Sequence, residues 1–126
     1  EKVRLELVKS VFGKPKQVIS EFDFTITKFA YYKNYDNVDE ENYMAVFEVM
    51  FHEDFFKHLH TKRLVVDDEM IYPVSTFNRV LRYVKYGYQP CRETKIKIVT
   101  NLAMLDPKNQ KDFEKELGKS LYEGLD

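Results

Sequence analysis

Phe22-Asp23-Phe24-Thr25-Ile26-Thr27-Lys28-Phe29-Ala30-Tyr31-Tyr32 is the stretch on which the fold turns. Phe22, Phe24, Ile26 and Ala30 alternate with Asp23, Thr25 and Thr27, the two-residue period of a strand with one buried face. An aspartate inside such a strand is unfavourable, because strand propensity disfavours it and a buried carboxylate is costly to desolvate. With Thr25 and Thr27 beside it, Asp23 is expected to face a polar cleft on one side of a sheet; the plainer alternative is a wet face or a salt bridge. Working outward, Val3, Leu5 and Leu7 alternate with Arg4 and Glu6, predicting an earlier strand. Gly13-Lys14-Pro15 interrupts it, and Pro15 opens a short helix carrying Val18, Ile19 and Phe22. Asn34 to Asn42 reads as an acidic hairpin or loop, and Tyr43 to Phe51 as a third strand.

Beyond residue 52 the helical period takes over. Glu53 to His60 predicts a short helix, and Arg63-Leu64-Val65-Val66 a brief strand before the acidic turn Asp67-Asp68-Glu69. Pro73 and Ser75 open a helix with Phe77, Val80, Leu81 and Val84 as its apolar stripe, ended by Gly87. A further helix is expected over Glu93 to Leu105 with Ile96, Val99, Leu102 and Ala103 inward, and a last one over Asn109 to Leu121. Strands first and helices afterwards predict an α+β fold, a small mixed or antiparallel sheet followed by a helical half. The division expected is residues 1–72 and 73–126.

Composition narrows the function classes. The chain has 126 residues, 44% hydrophobic and 33% charged, an ordinary globular balance for one domain. Its 4 Gly leave little room for a Gly-rich phosphate loop, and no apolar run approaches a membrane span. The single cysteine, Cys91, excludes an internal disulfide and any multi-cysteine zinc site, so a reducing, cytoplasmic setting is expected. The sequence opens at Glu1 without a methionine, as though cut from a longer chain. The net charge of −1 conceals segregation. Residues 33–60 hold seven carboxylates against Lys33 and Lys57, whereas residues 75–105 hold six cations against Glu93 alone. Such local basic density favours an anionic partner.

Most candidate sites fail on spacing. His52-Glu53-Asp54-Phe55-Phe56 lacks the second histidine of an HExxH zinc motif, and His58 and His60 point to different sides of a helix. Cys91 has no histidine near it in sequence, and Asp67-Asp68-Glu69 is most simply a solvated turn.

Four blocks, taken in order, resemble the tRNA nucleotidyltransferase (CCA-adding) and bacterial poly(A) polymerase family. Phe22 to Tyr31 is similar to its RDFTINALAYD-type segment. Asp54-Phe55 with Lys62-Arg63-Leu64 resembles its "DL…LR" segment, Pro73-Val74 with Arg79-Val80-Leu81-Arg82-Tyr83 its "DPLRLLRAVRF" helix, and Tyr86 to Thr94 its "LGFEIDPET" segment. The resemblance implies the later part of a polymerase-β-like nucleotidyltransferase head, in which magnesium activates a 3′-hydroxyl toward a nucleoside triphosphate. By the same implication Asp23 would serve as catalytic and metal ligand and meet the nucleotide, Glu6 would be a further acidic catalytic group, and Arg63, Arg79 and Arg82 would bind the triphosphate. The family's D-x-D motif has no counterpart here, so this chain alone is expected to be inactive and its parent an enzyme. The second reading is a module binding RNA or protein on the same scaffold, with Tyr83, Tyr86 and Tyr88 stacking bases among the basic helices. A dimerising role, using Phe55, Phe56 and the tyrosines, is the third.

Overall fold

The computed structural model describes residues 2–41, 44–67 and 70–106, together with Lys108 and Lys115. Its elements are α1 (Pro15–Ser20), a 3₁₀ turn (Thr25–Thr27), β1 (Phe29–Asp39), β2 (Met44–Phe51), α2 (Phe55–Thr61), β3 (Arg63–Leu64), α3 (Pro73–Lys85), β4 (Gln89–Pro90) and α4 (Arg92–Ala103). The α+β expectation is met. β1 and β2 form a long antiparallel hairpin from the pair Phe29–Phe51 to the pair Asp39–Met44, with its register shifting between Asn34 and Val38. β3 and β4 add a short parallel pair.

Two expected strands change character. Residues 2–9 form no strand among the described residues, and Val3, Leu5 and Leu7 stand 84%, 91% and 84% exposed. Alternation alone does not make a strand, because the backbone needs a neighbouring strand to bond to. In the second stretch the chain bends at Asp23-Phe24, takes the 3₁₀ turn, and becomes a strand only at Phe29. The turn is held from outside the helix: the Thr25 amide donates to the Val65 carbonyl at 3.0 Å. The predicted acidic loop is shorter than expected, since β1 runs on through Asp39. Asn42, Tyr43, Asp68 and Glu69 lie outside the described residues, as does all of the predicted last helix except Lys115.

The core draws from both sides of residue 72. Phe24, Ile26, Leu64, Val66, Val80 and Ile98 are buried together, and Tyr83 meets the Phe24 ring edge-on at 5.6 Å between centroids. Lys62, in the left-handed conformation with φ 55°, ends α2 and turns the chain directly into β3. Its carbonyl accepts from the Gln89 amide at 2.8 Å, which brings β4 alongside.

The helices are placed as predicted but turned. Of the stripe predicted on α3, Val80 is buried and Phe77 packs on the core, whereas Leu81 and Val84 are exposed and Thr76 is buried in their place. On α4, Thr94 and Ile98 are buried, while Ile96, Val99 and Ala103 face outward; only Leu102 of the predicted stripe packs on the core. Threonine explains the rotation. Thr94 accepts from the Val66 amide at 3.0 Å, and Thr76 donates to the Asp23 carboxylate at 2.8 Å, so each crosses an inter-element gap that an apolar side chain would leave unbonded.

Candidate interaction surface

The sequence-predicted residues divide into a joined pair and scattered others. Asp23 accepts hydrogen bonds from Thr76 and from the Arg79 guanidinium on one carboxylate oxygen. The carboxylate is therefore committed to α3, which is the salt-bridge alternative to a polar cleft. Glu6 stands in the irregular stretch and pairs with Arg4 at 2.9 Å, with both side chains exposed. Arg63 and Arg82 are exposed, and their charges reach His58 and Tyr83 respectively. Tyr83 packs against Phe24, Tyr86 and Tyr88, and burial raises its phenol pKa. Two of the three tyrosines expected to stack bases are thus engaged at the edge of the core.

A polar knot that sequence reasoning passed over lies where β2 meets α2. The His52 imidazole accepts the Asp54 amide proton at Nδ1 and so carries its own proton on Nε2, which lies 2.5 Å from Asp67. Lys28, almost wholly buried, donates to the other Asp67 oxygen at 3.0 Å. Burial pushes the Asp67 pKa up, but the hydrogen bond and charge of Lys28, joined by the hydrogen bond from His52, outweigh it, and the carboxyl sits below its ordinary value. Lys97 adds a hydrogen bond to the Val66 carbonyl at 2.8 Å. Both imidazole nitrogens of His52 are spent, so this aspartate–histidine pair offers no free base; it fastens the hairpin to the loop after β3. Near it, Thr25 and His58 share a buried hydrogen bond of 2.7 Å, and burial lowers the His58 pKa. Among the described residues no three His, Cys, Asp or Glu side chains group as a metal site.

The feature most available to another molecule is one face of the hairpin. Side chains alternate across a strand pair, so Phe29 and Tyr31 from β1 share a face with Phe47, Val49 and Phe51 from β2, and Tyr35, within the register shift, is joined to them by Lys33. All six are exposed, Tyr31 at 68%. The Phe29 and Phe51 rings stack at 5.8 Å and Tyr31 with Phe47 at 5.3 Å. Phe55 and Phe56 extend the row, with Phe56 meeting Phe51 edge-on at 5.0 Å. Lys33 lies over the Tyr35 and Phe47 rings. The opposite face is polar at its centre: Glu48 accepts from Tyr32, Asn34 and Asn37, and bonds from Asn37 first, then Asn34 and Tyr32, lower its pKa. An exposed aromatic sheet face is a surface that soluble proteins seldom leave without a purpose. Its signal was present in the alternation Phe29/Tyr31 and Phe47/Val49/Phe51, where the pairing makes two half-signals one.

Comparison with known proteins overturns the family resemblance. The family described as Gabija anti-defense 2 family protein, Gad2, matches residues 1–62, just under half of the chain. Compared with curated proteins and with solved structures, the chain matches none. Membership of the tRNA nucleotidyltransferase and poly(A) polymerase family is therefore corrected, as are the nucleotide-transfer function and the binding-module reading built on that scaffold. The four blocks were short and each tolerated insertions or substitutions, which is how unrelated α+β sequences come to share punctuation. The magnesium and nucleotide expectations rested on that resemblance and have no separate footing. Among the described residues no helix is long and apolar enough to cross a membrane.

Proposed function

We propose that this chain acts as an anti-defense protein against the Gabija system. The observation that carries the reading is the Gad2 match over residues 1–62. That segment holds α1, the whole hairpin and α2, and therefore every ring of the exposed aromatic face. The chemistry of that face suits contact with a protein component of the defence: stacked rings supply large rigid area at low entropic cost.

The test is survival of phage on bacteria carrying a Gabija system that restricts it, with and without expression of the protein. Plaque numbers are expected to recover when the chain is present. The double variant Tyr31→Ser/Phe47→Ser, which changes two exposed residues and no core residue, is expected to lose that recovery at equal protein level. Undiminished restriction in the presence of well-expressed, folded wild-type protein refutes the proposal. Full activity of the double variant removes the aromatic face from it.

A further inference from the structure

Two unsatisfied features of this molecule complement each other. The first is the stretch 2–12, in which Val3, Leu5 and Leu7 lie on alternate positions, are more exposed than Tyr31, Tyr35, Phe47 or Val49 of the hairpin, and pair with no strand among the described residues. The second is the hairpin, a sheet of only two strands whose outer edges and aromatic face carry no further strand among the described residues. Two-stranded sheets are marginal in water, and free edges invite a third strand. Charge points the same way. Residues 2–16 carry Lys2, Arg4, Lys9, Lys14 and Lys16 against Glu6 alone, whereas residues 33–48, which span the hairpin, carry Asp36, Asp39, Glu40, Glu41 and Glu48 against Lys33.

We infer that the stretch 2–12 of one copy of this chain adds as a strand to the β1–β2 hairpin of a second copy, and that the exchange is mutual. Added as a strand, it lays Val3, Leu5 and Leu7 on the face of Tyr31, Phe47 and Val49 and turns Arg4 toward the face of Glu48. A mutual exchange is a closed two-fold contact, using the same two patches on each copy, so it stops at a dimer. The basic stretch and acidic hairpin attract between copies, which sets the pairing and makes it sensitive to salt.

The test is the mass of the full chain in solution by sedimentation, from low to high micromolar concentration. The wild-type protein is expected to sediment as a dimer that weakens as salt rises. Leu5→Asp/Leu7→Asp alters only exposed side chains, so its circular dichroism is expected to stay native while its mass falls to that of a monomer. Phe47→Asp/Val49→Asp is expected to be monomeric as well. Mixing these two variants restores one strand-to-hairpin contact, and association of the mixture, with neither parent self-associating, is the distinguishing result. A monomeric wild type throughout the range overturns the inference. So does a dimer indifferent to Leu5→Asp/Leu7→Asp, which would mean that hairpins pack face to face. Failure here leaves the anti-defense reading standing, because restriction and mass are measured separately.

Discussion

Replacing Thr25 by valine isolates one buried hydrogen bond with little change of shape. Thr25 is wholly inaccessible, its hydroxyl lies 2.7 Å from His58 Nδ1, and His58 is itself buried. Valine fills the same volume but leaves the imidazole nitrogen without a partner where water does not reach. An orphaned buried polar group costs about 1–3 kcal/mol. With a urea m-value of roughly 1–3 kcal/mol per molar for a small domain, the unfolding midpoint is expected to fall by about 1 M. Thr25→Ser keeps the hydroxyl and loses one methyl, for a cost of about 0.8 kcal/mol. The double variant Thr25→Val/His58→Phe removes both partners, and its destabilisation is expected to be well below the sum of the single ones. Urea titration followed by circular dichroism reads the wild type, Thr25→Val, Thr25→Ser, His58→Phe and the double variant. A Thr25→Val midpoint indistinguishable from wild type, or strict additivity in the cycle, refutes the reasoning. The pH dependence gives a second reading. Burial lowers the His58 pKa below its ordinary 6.5, so the unfolded chain takes up the proton first. Stability is therefore full above pH 6.5, declines as pH falls below it, and levels off beneath the folded-state pKa. His58→Phe is expected to flatten that decline.

Three other outcomes are expected. On α4, Ile98→Ala should cost about 2–5 kcal/mol because Ile98 is 4% exposed, while Val99→Ala, at a position 66% exposed, should stay within about 0.5 kcal/mol; equal effects in thermal melts would mean that the helix is turned the other way. Asp67 has a folded pKa below its ordinary 3.8, so it contributes stability above that pH and loses it as pH falls through the folded value. Asp67→Asn should therefore make acid unfolding begin from a lower plateau and proceed with a shallower slope, measured by ellipticity against pH. Gly87 follows α3 with φ 93°, and a Cβ there meets nothing closer than 3.9 Å, so Gly87→Ala should cost more than about 1 kcal/mol through the backbone alone, read as a lowered melting temperature.

The order and kind of most elements could be read directly. Pro15 and Pro73 mark the first residues of α1 and α3, and Gly87 follows the end of α3. The apolar run Met44–Phe51 becomes β2. These are local properties, in which a ring that fixes φ or a missing Cβ acts within a few residues. The α3 face was legible in half, since Phe77 and Val80 of the expected stripe pack on the core, but its rotation and the face of α4 could not be read, because hydropathy counts threonine as polar, and Thr76 and Thr94 become inward residues only through partners tens of positions away. The same holds for residues 22–28. Their alternation is a strand's, yet the Val65 carbonyl captures the Thr25 amide and the chain coils instead.

The candidate surface shows the division most clearly. By itself the sequence determined that aromatic and β-branched residues alternate in two neighbouring stretches, that acidic and basic charge are segregated, and that one cysteine is available. Only the tertiary structure decided that Phe29 stacks on Phe51 and Tyr31 on Phe47, that this face looks outward, and that Asp23 is spent on Arg79. Side-chain type and period belong to the chain; which face is covered depends on what packs against it, and that is settled by contacts between residues far apart in sequence.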